Sequence, residues 1–347
     1  MEQKQIIDEV SFIRPILLIM VVLYHSFAPF TGTWEPFEGY EANEFYHWIA
    51  SFSYSSMLET FVFVSGYLYA FQCLGVKRYY SFIHLAKKKA SRLLTPYLVF
   101  GTIYIILFVR IGGGNYLAII SKLLNGVGHL WFLPMLFWCF LGLWMLVKLK
   151  LNDASRVFIL IALAMCSPIG KGLQIGSSMY YIFFFFMGWL AYKYRSMVIK
   201  AANPYTIIIL FLVYILSFIL LPKGITVLKD TSEIIYNTSL MVKASIMASM
   251  RILRISYSFV GVSLYLLVAL WFAKSYNISP RYVQIGGLCF GVYIFQQFIL
   301  KYLYYYTNLP LFVGSQLLPW VGFMTTLAIS ILLTYMIRRF KLGRKML

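Results

Sequence analysis

The feature that most narrows what this chain can fold into is a recurring apolar stretch close to the roughly 20 residues an α-helix needs to cross a bilayer. Short polar loops separate one stretch from the next. Ten can be read, at 13–30, 51–71, 93–111, 129–147, 157–169, 179–192, 205–221, 256–272, 282–300 and 317–337. A soluble core of 347 residues does not hide that much apolar surface: 61% of the chain is apolar and 12% charged, against roughly 25% charged in an ordinary soluble domain. The expected fold is all-α, a polytopic transmembrane helix bundle of about ten spans. It forms a single domain over 1–347, with no stretch left for a fused extracytoplasmic domain. The spans at 157–169 and 179–192 are short, so each is expected to be re-entrant or to lengthen into its loop. The N-terminal Met-Glu-Gln-Lys-Gln lacks the basic n-region of a signal peptide and no small-residue cleavage site follows the first run, which reads as a retained helix.

A net charge of +19 would point to nucleic acid in a soluble protein, but here position matters more than sum. With the N-terminus in the cytoplasm, both tails and the loops at 73–92, 148–156, 193–203 and 274–281 hold 20 of the 30 Lys and Arg residues. That is the positive-inside pattern, with both termini cytoplasmic. The partner it implies is the lipid bilayer, not nucleic acid. The exception is Lys223 to Arg254, nominally outside with five basic residues, which reads as an interfacial amphipathic helix or a surface for an anionic glycan. The acidic loop 31–50, with Glu35, Glu38, Glu41 and Glu44, reads as solvated. The four cysteines stand singly and His47 and His84 are isolated, so no metal site is expected. Gly112 to Gly114 reads as a turn, and the pair Gly286 and Gly287 as close helix packing.

Ionisable side chains inside spans are costly, and are therefore site candidates: Arg14, His25 and Glu59, with His129 at the start of the fourth span. Arg14 and His25 are eleven positions apart, almost three turns, so they share a helix face about 16 Å apart along the axis. Pro15 fits a first helical turn. A neutral imidazole at position 25 accepts a proton from a hydroxyl as a general base, or attacks and is transiently acylated. The bland alternative is a histidine that only ties helices together.

Four segments resemble one family in order. Arg14 and His25, separated by ten residues, resemble the first-helix motif of the acyltransferase-3 family of bacterial membrane enzymes. Phe61 to Leu68, with Ser65, Gly66 and Tyr67, is similar to its second-helix motif. Lys89 and Arg92, followed by Pro96 and Tyr97, resemble its basic element before the third helix. Gly128 to Leu133, with His129 and Trp131, resembles its His-Leu-Trp-Phe segment. The resemblance implies transfer of a short acyl group, usually acetyl, from cytoplasmic acetyl-CoA or another acyl-CoA to a hydroxyl of a cell-envelope polysaccharide or glycolipid. The location implied is the bacterial inner membrane. Arg14, Lys89 and Arg92 would hold the donor, Trp131, Ser65 and Tyr67 the acceptor, and His25, Arg14, His129 and Glu59 would serve catalysis. His129 is expected to orient His25 or polarise the thioester carbonyl, and Glu59 to pair with His25 or another buried base, or to serve as a structural hydrogen-bond partner. A separate extracytoplasmic transferase or a second copy of the chain would be a partner. Two positions depart from the pattern: Ser11 replaces an acidic residue, with Asp8 and Glu9 nearby, and Gln296 replaces a histidine that could shuttle protons. The competing readings are a polysaccharide or lipid-linked sugar translocator and an export component, without acyl transfer.

Overall fold

The computed structural model describes residues 8–109, 116–170, 172–234, 240–276 and 279–347. The Gly112–Gly114 turn and the first seven residues lie outside them. Among the described residues every regular element is helical, and nine stretches are long and apolar enough to cross a bilayer. Helix α1 (Asp8–Ser26) carries Asp8 and Glu9 in its first turn, where carboxylates meet the positive end of the helix dipole. It begins five residues earlier than the apolar pattern predicts, so Pro15 stands two turns inside it. There the ring withholds the N–H that the Ser11 carbonyl would accept.

Helices α2 (Glu44–Tyr54) and α3 (Met57–Ala70) form one long crossing, Glu44–Gly75. It is broken at Ser55 and Ser56, whose hydroxyls both meet the Tyr214 hydroxyl. A π-helical turn, Phe71–Gly75, ends it. After α4 (Phe82–Lys89), a second π turn, Ala90–Leu94, leads into α5 (Thr95–Phe108). Helices α6 (Tyr116–Asn125), α7 (Phe132–Lys148), α8 (Asp153–Cys166), α9 (Ile175–Lys193) and α10 (Arg195–Ala201) follow. The chain ends with α11 (Pro204–Ile234), α12 (Leu240–Ser275), α13 (Pro280–Tyr305), α14 (Leu309–Ile337) and α15 (Lys341–Met346).

The expected span at 179–192 does lengthen, into α9. The one at 157–169 does not: α8 has 14 residues, about 21 Å of helix, and falls short of the hydrocarbon core. Its connection to α9 stops at the level of Trp138, inside α7, whose indole N–H donates to the Leu173 carbonyl at 2.9 Å. The Leu173 N–H in turn donates to the last turn of α6 at Leu124 (2.7 Å). The basic stretch Lys223 to Arg254 is not a separate interfacial helix, because its backbone continues α11 to Ile234 and begins α12 at Leu240.

Two features position the site. Helices α3 and α9 touch backbone to backbone: a Cβ on Gly66 would lie 1.9 Å from the Phe185 carbonyl oxygen, and one on Gly188 2.0 Å from that of Phe63. The acidic loop is folded over one end of the bundle rather than solvated throughout. Trp34 and Phe37 are buried, the Glu41 N–H donates to Ser315 Oγ (3.0 Å), Asn43 Nδ2 donates to Gln316 Oε1 (2.9 Å), and the Tyr305 hydroxyl donates to the Glu35 carbonyl (2.6 Å).

Candidate active site

Helix α1 lines one wall of a cavity of ≈ 950 Å³. At one end stand Arg14, Lys89, Arg92 and Arg338. The π turn after α4 inserts an extra residue into the helical repeat, a device common at functional sites, and Lys89 and Arg92 on either side of its start both reach the cavity. Lys89 Nζ rests over the Phe140 ring, 3.4 Å from its centre. Arg338 Nη1 donates to the Gly287 carbonyl at 2.7 Å. Arg14 has no hydrogen bond or ion pair among the described residues, and Arg92 is a cation in its electrostatic reach. Four cations converging with no Asp or Glu side chain among the described lining residues form a site for an anion.

Gly286 and Gly287 border the same end, and the close packing expected of them is absent. A Cβ on either would meet nothing nearer than 3.6 Å. What these glycines leave is space, with the Ser11 carbonyl facing Gly286 across it.

The opposite end holds His25, His129, Trp34, Tyr54, Tyr104 and Lys301. His25 Nδ1 lies 2.9 Å from the Val21 carbonyl oxygen. That oxygen can only accept, so Nδ1 carries the proton and the lone pair is on Nε2, which makes no hydrogen bond among the described residues, and His25 lines the cavity. His129 is 6.2 Å from His25 between ring centres and differently disposed. Its Nδ1 meets Gln297 Oε1 at 2.9 Å and its Nε2 the Ile294 carbonyl at 3.0 Å. The His129 backbone N–H donates to the same Gln297 oxygen (3.1 Å), and the Tyr293 hydroxyl donates to the His129 carbonyl (2.5 Å). His25 therefore offers a free base, whereas His129 is held on both sides.

The other residues read from the sequence divide. Ser65 and Trp131 line the cavity. Tyr67 does not: it is buried, and its hydroxyl donates to Glu9 Oε1 at 2.6 Å, with Arg195 Nε 2.9 Å from the same oxygen. Glu9 is spent on Tyr67 and Arg195 rather than on Arg14, and it ties α1 to α3 and α10. Glu59 is also buried off the cavity. The Tyr180 hydroxyl donates to it at 3.4 Å, and Arg254 is the cation in its electrostatic reach. Gln296 is buried away from the cavity with both amide atoms unpartnered, while its neighbour Gln297 lines it.

Sequence reasoning missed Trp34, Gln297, Arg338 and Lys301. Trp34 follows the first span by a few residues in an acidic loop, and Lys301 counts as one more outer-side charge. Their only advance signal is position at the same bundle end as His25. A cation-lined cavity end joined to a free imidazole suits transfer of a group carried on an anionic handle to a nucleophile activated by His25. A family model described as an acyltransferase domain matches residues 7–339. No curated protein and no solved structure matches the chain.

Proposed function

Because the chain belongs to the acyltransferase-3 family, we propose that this multi-pass membrane protein is an O-acetyltransferase. In this reading it moves a short acyl group, acetyl foremost, from cytoplasmic acyl-coenzyme A to a hydroxyl of an envelope polysaccharide or glycolipid at the bacterial inner membrane. The observation that carries the reading is the single cavity with Arg14, Lys89, Arg92 and Arg338 at one end and the free Nε2 of His25 at the other. The cationic end lies on the side of the basic loops, where guanidinium and ammonium groups take the donor's phosphates. From there to His25 is about 16 Å along α1, close to the reach of a phosphopantetheine arm.

His25 Nε2 takes the proton of the acceptor hydroxyl as its oxygen attacks the thioester carbonyl. The tetrahedral oxyanion then collapses, the carbon–sulfur bond breaks, and the leaving thiolate takes that proton back from the imidazolium. His129, its nitrogens engaged, fixes the wall against which the thioester lies.

Reconstituted protein given labelled acetyl-CoA and envelope glycan should acetylate the glycan. His25→Ala should lower that rate by about 10²- to 10⁴-fold, the usual weight of a general base, with coenzyme A binding retained. Unchanged turnover in His25→Ala would remove His25 from the mechanism.

A further inference from the structure

We propose that the acceptor carries an anionic group, carboxylate or phosphate, on the same sugar as the acylated hydroxyl or on its neighbour, and that Lys301 is its counter-charge. The proposal rests on the acyl-transfer reading and names the acceptor class within it.

Lys301 lies one turn before the end of α13 and faces the cavity at the end opposite Arg14. Its ammonium sits over two rings, 5.4 Å from the centre of Trp34 and 5.8 Å from that of Tyr104. Among the described residues it makes no hydrogen bond and no ion pair; Glu35 is the carboxylate in its electrostatic reach, beyond ion-pair distance. A lysine kept for the membrane surface turns its ammonium outward to water and headgroups. Lys301 instead faces the reaction chamber, where a strongly hydrated cation without an anion is costly. The donor's phosphates do not meet that need, because four cations already serve them at the far mouth.

Trp34 supplies the geometry. Its ring centre is 5.9 Å from that of His25, so the base and the ammonium both lie within 6 Å of one indole. The indole is held by its loop, since the Tyr305 hydroxyl donates to the Glu35 carbonyl. A pyranose stacked on Trp34 turns one edge toward His25 Nε2 and another toward Lys301. An acidic substituent on that second edge completes the ion pair the protein leaves open.

The test uses the purified full chain and three probes: a glucuronate-containing disaccharide, a 6-phosphorylated glucose disaccharide and the neutral glucose disaccharide. Binding is measured by calorimetry and labelled acetyl transfer separately. At least one anionic probe should bind about tenfold more tightly than the neutral one, the weight of one charge-assisted contact. Which anionic probe wins separates carboxylate from phosphate. Lys301→Gln should bring that ratio to about one, and Lys301→Arg should keep most of it, which also guards against a misfolded variant. Equal or undetectable binding of all three, or a ratio unmoved in Lys301→Gln, overturns the proposal. Discrimination in binding with no transfer by the wild type sinks the acyl-transfer reading instead, and transfer without discrimination sinks only the acidic acceptor.

Discussion

At position 129 both imidazole nitrogens face oxygens, and the loop before α7 is shaped to keep them there. Gly128 has φ +46°, a left-handed conformation that side chains resist. A Cβ on it would come within 2.7 Å of Gln297 Oε1 and 2.8 Å of the Tyr104 ring. Gln297 is therefore the residue that holds His129 by both its backbone N–H and its Nδ1, and on the proposed mechanism its contribution would be positional. Gln297→Ala should lower kcat by up to about 100-fold, as small misplacements in an active site do, while the donor KM stays near its wild-type value. A steady-state comparison reads this directly; a raised donor KM with unchanged kcat would show that Gln297 serves binding. The same residues show how far a sequence reaches at this scale. His25 and Arg14 were legible because charge inside a span is expensive and their spacing fixes a shared face. Tyr67 and Glu59 are equally unusual inside spans, yet the fold spends them on Glu9 and Tyr180. A polar residue in a span must be satisfied somewhere, and the linear pattern does not say by whom.

Helices were legible from apolar length, but their joints were not. The π turns at Phe71–Gly75 and Ala90–Leu94 leave no mark on hydropathy, and neither does the Trp138–Leu173 hydrogen bond, although the shortness of α8 is already visible in the apolar stretch at 157–169. The α3–α9 contact is the sharpest example, because its glycines look like ordinary members of apolar runs. With the Phe185 backbone in the way, Gly66→Ala must push two helices apart, at a cost of about 1–3 kcal/mol. Its thermal unfolding midpoint in detergent should fall, whereas Gly287→Ala, which meets nothing closer than 3.6 Å, should unfold like the wild type. At the start of α8, partial burial alone would raise Asp153, but hydrogen bonds from Lys193, Tyr194 and Arg156 outweigh it and hold the carboxylate below its usual range. A carboxylate with a depressed folded pKa stabilises the fold above its unfolded pKa and loses that contribution as pH falls through the folded value. Asp153→Asn should therefore lower the midpoint slightly at pH 7, by at most about 1 kcal/mol for so exposed a cluster. The difference should vanish as pH drops below the carboxylate range; an equal deficit at acidic pH would mean that packing, not charge, is what the substitution removes.

For the whole molecule, the arrangement of charge is vectorial. Arg14, Lys89, Arg92 and Arg338 gather at the end where the chain's basic loops lie, and His25, Trp34 and Lys301 at the other, under the folded acidic loop. A carrier moving a sugar across needs that path to admit the sugar at both ends in turn. A transferase needs only that donor and acceptor meet at His25 from opposite sides, and the cavity's two unlike ends fit that requirement. Vesicles in which the basic loops face outward should therefore acetylate enclosed glycan when acetyl-CoA is added outside, with no glycan crossing the membrane. Enclosing the donor and adding the acceptor outside should give no product. Removing both donor-end charges, Lys89→Gln with Arg92→Gln, should raise the apparent donor KM by tenfold or more, since charge-assisted contacts to phosphate are each worth about that factor. Added salt should shrink the gap between variant and wild type, because screening weakens the contacts only the wild type retains. Glycan appearing outside unacetylated would favour the carrier, and a donor KM indifferent to the double substitution would move coenzyme A away from this mouth.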